Sequence, residues 1–343
     1  MINILQYSDI DKQQWQQLIE RSPYATWFQT PEAYAFYASV PDEMEPFAIG
    51  VSEDNKLQGL IVGYITCEKN PIKQFLTRRA IIIGGPLLDE NITADALSAL
   101  LNTLRRSPYR YSPTFTDIHR HSPIYIESRN FHDYSKWKTI FENNGFVYKE
   151  HLNFHVDCTQ ENMLATMSES RRRQIKKAIK SGVAIVEAQS QEDVRTYYDI
   201  LKDLYKNKVK TPLFPLDFFL RFYENGFGKY LLVKYEDKII GGIMCPILKG
   251  RTIYEWFVCG MDEQYKNQYP SVMATYAAIE YAQQNGLSRF DFMGAGKPEE
   301  AYGVRDFKAR FGGEQVEHGR FLCVRKPLLY WIGKMGVKIL KRR

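Results

Sequence analysis

At 343 residues, with 44% hydrophobic and 25% charged side chains, the chain is long enough for two ordinary globular domains. Its net charge of +6 comes from residues 326–343, where Lys326, Lys334, Lys338, Lys341, Arg342 and Arg343 meet no acid; the rest balances 40 basic against 40 acidic residues, which argues against a general nucleic-acid coat. No apolar run nears the ~18 residues of a membrane span, residues 1–9 lack signal-peptide regions, and five scattered cysteines without a C-x-x-C argue against a disulfide framework or zinc site.

In chain order, Trp15, Leu18 and Ile19 predict a helix over 11–20, and Thr30-Pro31 supplies a cap and a first-turn proline for a second. Residues 47–51, a turn at Glu53-Asp54-Asn55, and residues 57–66 read as a β-hairpin. A strand over 80–85, a helix over 93–105, a strand over 124–126 and a helix over 137–143 follow, the last stopped by Asn144-Gly145. Residues 146–157 read as one extended segment, and 163–181 as a basic helix. The second half continues with helices over 191–206 and 216–223, a hairpin over 230–234 and 239–248, and a strand over 251–259. Residues 269–314 then run from a helix opened by Pro270, through a strand at 289–293, into a glycine-punctuated loop. That loop holds Lys308 between Phe307 and Phe311.

Two matches in the same order indicate an internal duplication. Residues 53–61 overlie 235–243, with Lys56 on Lys238 and Gly59 on Gly241, an offset of 182. A helix, Asn-Gly, strand unit over 138–146 is matched with 278–290. The expected domains are 1–157 and 158–325, followed by a basic amphipathic tail, 326–343.

Common catalytic signatures are missing. Gly294-Ala295-Gly296-Lys297 is not a phosphate loop, because Asp291 stands where a glycine is required and Pro298 where Ser or Thr is. There is no G-x-S-x-G elbow. His151 and His155 lie in an extended segment with no Glu after His151, and His119-Arg120-His121 reads as a solvated loop, so no metal site is expected. Glu299 and Glu300 leave two-carboxylate chemistry open.

Residues 269–314 resemble the FemAB-like transferases, peptidoglycan interpeptide-bridge enzymes built from two acetyltransferase-type (GNAT) domains. The resemblance rests on Tyr269-Pro270, Ala278 to Ala282, Asn285-Gly286, Phe290-Asp291-Phe292 with Gly294, Tyr302-Gly303, Phe307-Lys308 and Phe311 to Glu314. Further blocks are Arg171 to Ala178 with Lys180, Gly182 and Val183, and Gly84 to Leu87. It implies an α/β (α+β) chain of two tandem GNAT (acyl-CoA N-acyltransferase-like) domains with mixed central sheets. It also implies transfer of an aminoacyl group from aminoacyl-tRNA to a cell-wall precursor peptide. The charged helical hairpin arm that some members insert has no room between Lys180 and Arg251.

The resemblance places a catalytic lysine at Lys308. Its ammonium would project between Phe307 and Phe311 and stabilise the tetrahedral oxyanion of acyl transfer, so that Lys308→Ala would keep the fold and lose transfer. Arg171, Arg172, Arg173 and Lys176 are candidate substrate-binding residues; positions 173, 176, 177 and 180 share one helix face suited to phosphates. Lys210, Tyr302 and Arg305 are groove candidates. Ordinary CoA binding is disfavoured, because residues 264–270 contain no glycine and Pro270 removes an N–H where a pyrophosphate would bind.

The tail, with Leu328, Trp331, Ile332, Met335 and Ile339 on one face, suits contact with an anionic membrane. The resulting reading is a cytoplasmic acyltransferase, peripheral at the inner face of the membrane. It would use aminoacyl-tRNA with no bound cofactor, on a nucleotide- or lipid-linked cell-envelope precursor such as a peptidoglycan stem peptide. The alternatives are a GNAT-type N-acyltransferase using acyl-CoA on a surface-polysaccharide or small-molecule amine, and a non-catalytic precursor-binding module.

Overall fold

The computed structural model describes residues 1–106, 122–299 and 303–340. The chain begins with β1 (Ile2–Gln6), α1 (Lys12–Arg21), α2 (Pro31–Ser39), β2 (Met44–Glu53), β3 (Lys56–Thr66), α3 (Pro71–Thr77), β4 (Arg79–Gly84), β5 (Leu87–Leu88), α4 (Ala94–Arg106), β6 (Tyr125–Asn130), α5 (Lys138–Asn143) and β7 (Val147–Lys149). It continues with β8 (Leu152–Asp157), α6 (Met163–Thr166), α7 (Glu169–Lys180), β9 (Ala184–Glu187), α8 (Gln191–Leu204), α9 (Leu216–Glu224), β10 (Gly228–Tyr235), β11 (Lys238–Leu248), β12 (Thr252–Tyr254) and β13 (Phe257–Gly260). Last come α10 (Pro270–Gln284), β14 (Arg289–Asp291), α11 (Gly303–Ala309), β15 (Glu314–Glu317), β16 (Arg320–Val324) and α12 (Pro327–Leu340).

Helix starts follow the expected chemistry. Asp11 accepts from Gln14 N, Thr30 from Ala33 N with Pro31 in the first turn, and Ser168 from Arg171 N. Helix α1 buries Trp15, Leu18 and Ile19, whereas α10 is apolar almost all round and lies in the core of its own unit.

Two compact units result: Met1–Glu150 with His318–Arg343, and His151–Glu317. Their eight-stranded sheets have the same plan. The first runs β1-β2-β3-β4-β6-β16-β7 with β5 on β3; the second runs β9-β10-β11-β12-β14-β8-β15 with β13 on β11. The parallel pairs, β4 with β6 and β12 with β14, stand at equivalent places, and the other ladders are antiparallel. The hairpins agree in detail. Each breaks register once, at Val51/Ser52 and at Val233/Lys234, and each turns through two left-handed residues, Asp54-Asn55 and Glu236-Asp237. These positions keep the offset seen in the sequence.

Three expectations need correction. The 138–146 and 278–290 match pairs the wrong helices: α5 lies between β6 and β7, as α11 lies between β14 and β15, and the equivalent of α10 is α4. Residues 146–157 are not one strand, since β7 belongs to the first sheet and β8 to the second. The boundary at 157/158 and the 158–325 domain therefore shift: the second unit starts at His151, and β16 returns to the first sheet between β6 and β7. The second unit is thus one contiguous stretch that includes β8, and only the first takes a strand, β16, from beyond its own stretch. Short, half-polar strands carry no mark of which sheet accepts them, because pairing partners are set by tertiary packing.

Candidate functional site

Residues 251–259 were expected as one strand, but the strand breaks at Glu255-Trp256. β12 pairs with β14, whereas β13 pairs with β11 alone. Lys308 of α11 enters at this break. Its Nζ donates to Phe292 O (2.8 Å) and Gly294 O (2.9 Å) and lies 2.9 Å from Glu255 Oε1. It also stands 5.0 Å from the Phe292 ring centre. Lys308 is 8% exposed and Glu255 6%. Burial raises the Glu255 carboxyl pKa above its usual range despite the nearby Lys308 charge and the hydrogen bonds from Lys308 and Thr275.

A second buried cluster faces the same turn. Asn153 Nδ2 and Met293 N both donate to Asp291 Oδ1 (2.7 and 2.6 Å), and His155 Nε2 lies 3.1 Å from Asp291 Oδ2. Gly294 N donates to Asn153 Oδ1 at 2.7 Å. Met293 is left-handed (φ 58°) and Gly294 has φ 142°, so this turn is costly for the backbone and is held from both sides. Burial raises the Asp291 pKa, but the charge and hydrogen bond of His155, with Asn153 and Met293, lower it further, to a net value below the usual carboxylate range. The carboxylate's contribution is therefore complete above about pH 4 and lost as pH falls through the lower folded value. Asp291→Asn is expected to flatten the acid limb of stability, read as urea midpoints from pH 6 to 2; an unchanged limb would remove Asp291 as its cause.

At the head of α10, Tyr269 is left-handed (φ 50°) and Pro270 opens the helix. Asp262 accepts from Ser271 N (3.0 Å) and Ser271 Oγ (2.5 Å). The end of β13 runs tight against this point: a Cβ on Gly260 would stand 2.4 Å from Ser271 N. The position where a helix favours an anion is thus taken by the chain's own carboxylate.

Beside it opens a cavity of about 470 Å³, lined by Arg171, Asp262, Lys266, Tyr269, Phe307 and Arg310, among others. Arg171 is 2% exposed. Its guanidinium lies 4.5 and 4.3 Å from the ring centres of Phe307 and Phe311 and donates to Gln174 Oε1 (2.9 Å) and Phe307 O (3.0 Å). Its buried Nε has no hydrogen-bond partner. Burial, with the neighbouring Arg310 charge, lowers its pKa to about 10.

The expected site residues divide accordingly. Lys308 and Arg171 meet through α11, but Lys308 does not offer an open ammonium: its three N–H donors face three protein acceptors. Arg173, Lys176, Lys177 and Lys180 form the exposed basic face that their spacing predicts. Arg171 lies on the opposite, buried face of α7 with Ile175 and Ala178, and Arg172 donates to Ala165 O. Lys177 reaches Asn267 Oδ1 at 2.8 Å, carrying the basic face towards the head of α10.

Lys210 is exposed, with a left-handed backbone (φ 54°), and does not line the cavity. Arg305 staples the loop through the carbonyls of Ala295, Lys297 and Pro298 instead of standing in a groove. Tyr302 and Glu300, with 119–121, lie outside the described residues, and Glu299 is exposed. No group of ligating side chains suited to a metal occurs among the described residues. Sequence reasoning missed Glu255, Asn153, Asp291 and Asp262; an acid inside the apolar run 253–258 was the signal available for Glu255.

Residues 167–308 match the acetyltransferase (GNAT) domain family. No curated protein matches the sequence. Among solved structures, FemX is similar over 96% of this chain and 99% of its own (TM-score 0.71, 15% identity). The C-terminal domain of a putative lysylphosphatidylglycerol synthetase from Agrobacterium fabrum is similar over 95% and 97% (TM-score 0.53, 12% identity). A tandem GNAT protein from the clavulanic acid biosynthesis pathway is similar over 94% and 98% (TM-score 0.57, 10% identity). With a GNAT domain over 167–308 and two sheets of one plan, the chain has a tandem GNAT fold of FemX-like architecture.

Proposed function

We propose that the chain transfers an aminoacyl group from charged tRNA to an amine of a cell-envelope precursor, such as a peptidoglycan stem peptide. The observation that carries the donor assignment is Asp262 at the head of α10. A CoA pyrophosphate would have to displace a carboxylate already bonded to Ser271, and would meet Pro270 where an N–H is needed. The adjoining cavity instead offers the exposed Lys266 and Arg310, and Lys177 carries the exposed basic face of α7 towards it, a track suited to a polyanion. The FemX-like architecture supports the acceptor class, and a lipid-linked acceptor would suit the basic tail at 326–343.

Direct competition of donors tests this reading. The purified chain is given charged tRNA or acyl-CoA with nucleotide-linked peptide, lipid-linked precursor and sugar amines. Transfer is expected from charged tRNA. The variant Arg173→Glu/Lys176→Glu should raise KM for tRNA about tenfold near 0.1 M salt, with the acceptor KM unchanged. Turnover with acyl-CoA alone, insensitive to that variant, would replace the proposal with the CoA-dependent alternative.

A further inference from the structure

Seven of the twelve large apolar side chains exposed among the described residues lie on two short helices of the first unit, α3 and α12. On α12, Leu328 (71% exposed), Trp331 (61%), Ile332 and Met335 recur at helical spacing on the outward side, while Tyr330 turns inward onto Tyr125, ring centres 5.2 Å apart. Ile72, Phe75 and Leu76 of α3 are exposed as well, and Lys326 at the start of α12 lies 5.5 Å over the Phe75 ring. The two helices pack together although some 250 residues separate them. An amphipathic helix ordinarily buries its apolar stripe; here the stripe is presented outward and α3 extends it.

We propose that α3 and α12 together form a docking face for an anionic lipid bilayer, lying in the interface without crossing it. The charge favours this occupant. Residues 326–343 hold six cations and no acid, whereas the lysines beside α3 are balanced locally, Lys69 by Asp42 (3.0 Å) and Lys73 by Glu68 (2.7 Å). A tryptophan-bearing apolar face flanked by lysines matches the boundary between acyl chains and anionic headgroups. No described helix is long and apolar enough to cross a membrane. The inference is independent of the transfer reading.

Flotation with vesicles of phosphatidylcholine and phosphatidylglycerol, against phosphatidylcholine alone, tests it. The full chain is expected to float with the anionic vesicles and to be released by high salt. Leu328→Ser/Trp331→Ser and, separately, Ile72→Ser/Phe75→Ser should each weaken binding about tenfold. Because these side chains are largely exposed, thermal midpoints should be kept. If either pair proves unstable, Lys334→Glu/Lys338→Glu supplies the same test through charge. Equal partitioning to neutral and anionic vesicles, or full binding by the α3 variant, overturns the two-helix face. So does a lipid-indifferent dimer in gel filtration that the same substitutions dissociate, which would make the occupant a second copy.

Discussion

Lys308→Met is expected to destabilise the second unit by about 3–5 kcal/mol, because it leaves Glu255 buried without its counter-ion. The raised pKa of Glu255 eases the penalty by letting the carboxyl take a proton. The carbonyls of Phe292 and Gly294 lose their donor as well. This revises the expectation from sequence that losing Lys308 would spare the fold. Adding Glu255→Gln removes the orphaned charge and should return most of the stability in urea unfolding, to within about 1–2 kcal/mol.

The double variant also separates structure from chemistry. We propose Lys308 as a positioning residue that fixes the 292–294 turn. On that basis kcat should stay at least about a hundredfold down in the refolded double variant, with the donor KM little changed, since only the bound geometry is loosened. Recovery of kcat together with stability would reduce Lys308 to a structural ion pair.

Truncation after Glu317 is the second large effect. It removes β16, the strand between β6 and β7. Phe321, fully buried and stacked on Phe141 at 3.9 Å, is lost with it, as is Cys323. Losing the Phe321 side chain alone would cost about 3–5 kcal/mol, against a total of ~5–15 kcal/mol for a domain. Arg320, 2.9 Å from Glu127, goes as well. Burial favours protonation of Glu127, yet Arg129 and Arg320 together hold its pKa down to about 2, so one of its two supports disappears.

The truncated chain should therefore show an unfolded, protease-sensitive 1–150 segment beside a resistant fragment spanning 151–317. Removal of 327–343 alone should leave both units resistant. Limited proteolysis read by mass spectrometry checks this, and a resistant 1–150 fragment in the shorter chain would show that β16 is dispensable.

Local chemistry and repetition were legible without the structure. The cap at Thr30, the stripe on α1, the two hairpins and their shared offset, and the absence of a glycine loop before α10 were all readable from local sequence. The exposed face of Arg173, Lys176, Lys177 and Lys180 follows from helical period alone. The tertiary structure decided what long-range packing controls. β8 belongs to the second sheet although the sequence reads on through it from β7, β16 returns to the first sheet, Arg171 turns inward onto Phe307 and Phe311, and Lys308 meets Glu255 across more than fifty residues. A lysine between two phenylalanines reads alike whether its ammonium faces water, substrate or a buried carboxylate. Only the break between β12 and β13, which brings Glu255, Phe292 and Gly294 around one point, removes that ambiguity, because a buried ammonium must find acceptors for all its protons.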